Sequence, residues 1–149
     1  MGTDIYSLAE YKENGQWKRV GEIFFDRWYE KTSSPFNARN YALFSWLAAV
    51  RIWCDVKPLS QPRGFPPDFD NSKPDDVFLG SYSYSYFYLS ELLAVDYNVT
   101  FLDELVGVDI SKFETITLKQ HLGRNYFETL EVLKTLGKPE NVRVIFGFE

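Results

Sequence analysis

The chain has 149 residues, 45% of them apolar and 18% aromatic, with a net charge of −5, which is enough material for one domain with a sizeable core. There is no apolar run of about 18 residues and no basic, hydrophobic leader in MGTDIYSLAE, so neither a membrane span nor Sec-type export is expected, and the chain reads as cytoplasmic. A lone cysteine, Cys54, excludes an intrachain disulfide and reads as a buried structural thiol.

The charge is unevenly spread. Residues 36–67 carry Arg39, Arg51, Lys57 and Arg63 against Asp55 alone, whereas residues 68–149 carry seven bases and fourteen acids. A general basic surface for duplex nucleic acid is therefore absent, and a local positive pocket in an acidic protein suits a small anion or a phosphate-bearing molecule. The alternative is that these arginines pair with the surplus carboxylates.

In chain order, Asp4 to Tyr11 and Gln16 to Phe25 are strand-like runs separated by Lys12-Glu13-Asn14-Gly15, and Asn-Gly signals a hairpin. Ile5, Ser7, Ala9 and Tyr11 alternate with Tyr6, Leu8 and Glu10, so both faces are partly apolar. Asp26 to Pro35 reads as a polar connector anchored by Trp28 and Tyr29. Asn37 to Cys54 is the dominant helix: Leu43, Phe44, Leu47, Val50 and Cys54 form one stripe, Tyr41, Trp46 and Trp53 widen it, and Asn37 is the expected N-cap. Arg39 and Arg51 lie on it, and a buried arginine needs a partner, which can be a ligand.

Asp55 to Gly80 holds five of the seven prolines and reads as a long functional loop. Its centre, Gln61 to Asp70, presents Arg63 next to Gly64, with Phe65 and Phe69 either side of Pro66-Pro67-Asp68. That arrangement suits stacking on a planar group plus a phosphate contact, so Arg63 is expected to touch an anionic ligand directly. The other reading is that the phenylalanines pin the loop to the core.

In Ser81 to Tyr88 an extended chain would place Ser81, Ser83, Ser85 and Phe87 on one face and Tyr82, Tyr84, Tyr86 and Tyr88 on the other. Such a ladder is either sheet packing or a stacking surface. Leu89 to Val95 reads as a short helix and Phe101 to Phe113 as a helical turn plus loop. Starting from Ser111 or Thr115, a second core helix runs over Thr117–Leu136 and ends at Gly137. His121 on that helix has no second histidine with which to share a metal. Val142 to Phe148, apolar on both sides, is expected in the middle of the sheet.

The order of pieces resembles a family of small proteins encoded by tailed bacteriophages. The resemblance covers most of the chain and is carried by the RNY-x-LF-x-x-LA-x-VR helix (Arg39 to Arg51), the PRG-x-P loop (Pro62 to Pro66), the serine-alternating segment before LxELL, and VRVIFGF. Members of that family tend to carry histidines in the alternating segment, where this chain has Tyr82 and Tyr84. The resemblance thus implies binding rather than catalysis here.

The expected fold is α+β: a single domain with an antiparallel sheet, formed by the hairpin, the Tyr82–Tyr88 segment and the C-terminal strand, packed on the two main helices. No Walker loop, paired histidines or GxSxG is present, and the acid pairs Asp75-Asp76 and Asp103-Glu104 sit in polar runs, so no enzyme, metal or cofactor is expected. The reading is a phage protein that sequesters a nucleotide-derived molecule, such as a host immune signal. Arg39, Arg51 and Arg63 would hold phosphate, Phe65, Tyr82 and Tyr84 the base, and Ser83 completes the candidate binding set. No duplex nucleic acid or membrane partner is expected, and self-association is left open. The alternative is a protein-interaction module that inhibits a host protein through its aromatic surface.

Overall fold

The computed structural model describes residues 2–22, 24–52, 55–70, 78–103 and 114–149. A four-stranded antiparallel sheet organises them, in the order β2 (Gln16–Arg19), β1 (Ile5–Glu13), β8 (Val142–Phe148) and β5 (Tyr82–Tyr88). Asn14 and Gly15 both take positive φ, as the tight β1–β2 turn requires. The expected central place of the C-terminal strand is met. All seven residues of β8 are buried, with Val142, Val144, Phe146 and Phe148 in the main core and Ile145 in a smaller cluster with Leu8 on the opposite face. Each such apolar side chain contributes roughly 1.5–3 kcal/mol by burial.

Helices cover the main core face. The first, α1 (Tyr41–Ala48), is shorter than its apolar stripe predicts and is capped by Asn40, whose side chain accepts from the Leu43 N–H at 3.2 Å. Asn37 instead ties down the preceding chain, donating to the carbonyls of Asp26 and Ser34. The helix stops because Ala49 turns left-handed at φ 57, sending its N–H back to the Phe44 and Ser45 carbonyls. Trp53 and Cys54 lie outside the described residues. The helix expected over Thr117–Leu136 is two helices, α3 (Leu118–Leu122) and α4 (Arg124–Lys134), broken at Gly123, which takes φ 87. Thr117 starts α3 with a capping box to Gln120, in place of Ser111 or Thr115.

Three further expectations are corrected. The connector from Asp26 to Pro35 contains a hairpin, β3 (Phe25–Arg27) with β4 (Glu30–Thr32), and the strand expected to reach Phe25 ends at Arg19. The stretch expected to begin a helical turn at Phe101 begins as strand. Its start belongs to β6 (Thr100–Asp103), paired with β7 (Glu114–Thr117), and residues 104–113 lie outside the described ones. The regular alternation of β5 is broken by a bulge between Tyr82 and Ser85, where Ser83 has φ 53, so Tyr82 faces Phe148 of the main core while Tyr84 and Tyr86 cover the opposite face. A short helix, α2 (Leu89–Leu93), follows β5 as expected. The loop of residues 55–70 brings Phe65 and Phe69 onto that second sheet face, and residues 71–77, with Asp75 and Asp76, are not described.

Candidate functional site

The bulge at Ser83 divides the residues selected from the sequence. On one side, Arg39, Arg51 and Tyr82 gather around Thr3 and Asp4 at the start of β1. Arg39 holds Asp4 bidentately through Nε and Nη2 at 3.0 and 3.1 Å. Arg51 Nε donates to Thr3 Oγ1 at 2.8 Å, with its guanidinium 5.4 Å from the centre of the Tyr41 ring. The Tyr82 hydroxyl donates to the same Thr3 oxygen at 3.3 Å. On the other side, Phe65 packs 4.6 Å from Tyr84, whose hydroxyl is spent on the Gly80 carbonyl.

Arg63 crosses the outer edge of β5, where the Gly64 N–H donates to the Tyr84 carbonyl. Its Nη1 and Nη2 donate to the two oxygens of Glu91 at 2.9 and 2.8 Å, Nη1 also approaches the Tyr86 carbonyl, and the guanidinium lies 4.4 Å from the Phe87 ring centre. The fork expected to meet a ligand thus holds a carboxylate. Glu91 is pushed up by burial, but the Arg63 bonds, the Tyr88 N–H and the Arg63 charge outweigh that and hold it below its usual range.

A different group of residues forms an open cleft of about 510 Å³ beside the first cluster, within the size range of small-molecule sites. Its walls are Tyr6, Trp28 and Phe36, and its cations are Arg27 and Arg39, with Asp4 between them in charge. Arg39 was selected from the sequence; Arg27, Trp28 and Tyr6 were missed. Trp28 is 82% exposed, and it stands at φ 53 in the two-residue turn between β3 and β4, where a left-handed conformation costs roughly 1–2 kcal/mol outside glycine. An exposed indole held in a strained turn is where function is sought. The sequence held one signal: Arg27-Trp28-Tyr29-Glu30 makes a tight turn with none of the usual turn residues.

The cleft is electropositive. The hydrogen bonds from Arg39, together with the charges of Arg39 and Arg27, hold the Asp4 carboxyl below its ordinary value, so it is ionised and offsets one of the two cations. Asp4 takes only Nε and Nη2 of Arg39, which leaves Nη1 for a second acceptor. Among the described residues no carboxylate pairs with Arg27, whose guanidinium lies 5.5 Å from the Trp28 ring centre. Cations beside flat aromatic walls can hold an anionic group and stack a ring.

Two other polar groups among the described residues hold parts of the fold together. The fully buried Arg143 on β8 donates to Glu10 at 2.8 Å and Asp68 at 2.6 Å and stacks 4.0 Å from the Trp17 ring centre, clasping the Phe65–Phe69 loop to the sheet. Tyr97 and Tyr126 share a 2.6 Å hydroxyl contact, and burial pushes Tyr97 up to about 12. Among the described residues no group of three or more His, Cys, Asp or Glu is placed to hold a metal, and no helix is long and apolar enough to cross a membrane. Comparisons with protein-family models, curated proteins and solved structures find no match to the chain.

Proposed function

We propose that the protein binds a small anionic, nucleotide-derived molecule and releases it unchanged. In the phage setting that the sequence resemblance implies, this would sequester a host immune signal. The supporting observation is the cleft: Arg27 has no carboxylate partner among the described residues, stands beside Arg39, and is flanked by the open face of Trp28. The phosphate belongs with the two guanidinium groups and the base with Trp28 and Tyr6.

The test is to incubate the purified protein with a mixture of nucleotide signals, wash it, release bound material by heat and identify it by mass spectrometry. An intact nucleotide is expected. Arg27→Ala should retain about tenfold less or worse, the loss of one charge-assisted contact of roughly 1.5–3 kcal/mol, with little change in melting temperature. Recovery of a chemically altered nucleotide would replace binding with catalysis, and recovery of none would refute the proposal. The protein-interaction reading is favoured by one observation, the full exposure of Tyr29 beside Trp28 at the hairpin tip. It requires a host protein whose capture is lost in Tyr29→Ala.

A further inference from the structure

The floor of the cleft is a strand edge where the main-chain groups of one residue, Ile5, itself 5% exposed, have no partner among the described residues. Asp4 and Glu149 exchange both main-chain bonds, at 2.8 and 3.1 Å, so the Asp4 groups point at the C-terminal strand. In an antiparallel ladder the next residue points the other way, and Ile5, opposite Phe148, therefore turns its N–H and C=O away from β8. On that side β2 pairs only with Glu10 to Glu13, Val20 extends the contact to Ala9, and among the described residues no strand lies beside Ile5. Ile5 lines the cleft although its side chain belongs to the core, so the part it offers the cleft is main chain.

Within the cleft the opening is one residue long. Toward the N-terminus the Thr3 N–H is taken by the Tyr41 hydroxyl at 3.0 Å. In the other direction Ser7, whose Oγ both accepts from the Phe36 N–H and donates to the Phe36 carbonyl, at 2.8 and 2.7 Å, does not line the cleft. A bound peptide strand needs a run of several residues' edge groups, and the cleft offers those of Ile5. A flat ring needs only one donor and one acceptor side by side.

We infer that the Ile5 N–H and C=O read the Watson–Crick edge of a nucleobase, with the ring against Trp28 or Tyr6 and the phosphate toward Arg27 and Arg39. Every base carries a neighbouring donor and acceptor on that edge, and proteins that bind unpaired bases read it in this way. This inference rests on the proposed nucleotide binding and adds to it the edge by which the base is held.

The experiment is calorimetric titration of the full chain with AMP, GMP, CMP and UMP. Each is compared with its edge-blocked counterpart, N6,N6-dimethyl-AMP, N1-methyl-GMP, N4,N4-dimethyl-CMP or N3-methyl-UMP, and with ribose 5-phosphate. The best-bound mononucleotide should lose at least about tenfold on methylation, falling close to ribose 5-phosphate. Equal affinity for the methylated and unmethylated forms would overturn edge reading while leaving nucleotide binding standing, since the ring would then be held by stacking alone. Failure of all four mononucleotides to bind would remove both.

Discussion

Replacing Arg63 with alanine should weaken the fold rather than the binding of a ligand. The side chain makes a bidentate pair with Glu91 and lies over Phe87, and the two partners' side chains are 30% and 35% exposed. Charge-assisted bonds of this kind are worth roughly 1.5–3 kcal/mol, which partial exposure reduces to about 1 kcal/mol. The contact with Phe87 adds about 0.5–1 kcal/mol. Glu91 keeps its 2.9 Å bond from the Tyr88 N–H, so no carboxylate is orphaned. The total is about 2 kcal/mol, which for a chain of this length lowers Tm by roughly 4–8 °C. Arg63→Lys, which keeps the charge but loses the planar fork, should lose about half of that. Scanning calorimetry of Arg63→Ala, Glu91→Gln and the double variant would give a coupling energy of about 1 kcal/mol. A Tm within about 1 °C of wild type for Arg63→Ala, together with lost nucleotide retention, would refute this reasoning and return Arg63 to the ligand.

Leu47 is fully buried in the main core, so Leu47→Ala should cost roughly 2–5 kcal/mol, read as a Tm fall of about 5 °C or more; a shift of only 1–2 °C would misplace the α1 packing. A Cβ at Gly147 would stand 2.0 Å from the Leu79 carbonyl and 2.7 Å from the Tyr84 ring, so Gly147→Ala should unfold or melt far below wild type, whereas Gly21→Ala, with open space around it, should melt within a few degrees. His121 is held below its ordinary 6.5, first by burial, against the opposing pull of Asp103 and the Ala42 carbonyl. The unfolded chain therefore takes up this proton first, and the stability involved is present above pH 6.5 and lost as pH falls from there through the folded value. Denaturant midpoints should decline over that window in wild type and stay flat in His121→Gln. The carboxylates of Asp4, Asp68 and Glu91, all lowered, act in the same sense only below their ordinary 3.8 to 4.5.

What the sequence disclosed of the fold follows from which signals are local. Asn14-Gly15 specifies its turn by itself, and the run of Val142 to Phe148, largely apolar on both faces and broken only by Arg143, is best satisfied between two strands. Helix ends were less legible because the decisive partners are distant in sequence. The apolar stripe continues past Ala48, yet the chain leaves the helix there. Val50 still fills the core from a non-helical position, and the Trp46 carbonyl is taken by Leu59 across the following loop. Burial alone therefore does not distinguish a helix from a chain that keeps returning to the same core.

The site was less legible still, for a geometric reason. One inserted residue in a strand exchanges its faces, and the positive φ of Ser83 sends Tyr82 to Thr3 and Arg51 while Tyr84 joins Phe65 on the far side. No periodic reading of Tyr-Ser-Tyr-Ser could have shown this. Charge counting had the matching weakness. It found few acids within residues 36–67, but Arg39 and Arg63 find theirs at Asp4 and Glu91, 35 and 28 residues away. The same argument selects Arg27. Acids surround it in sequence, at Asp26 and Glu30, yet Lys31 takes Asp26, and no ion pair joins Arg27 to Glu30 although the two are opposed in the ladder. Arg27 thus makes no ion pair with either acid beside it in the hairpin and lines the cleft instead, because what a side chain meets is set by the turn that carries it and not by its neighbours in sequence.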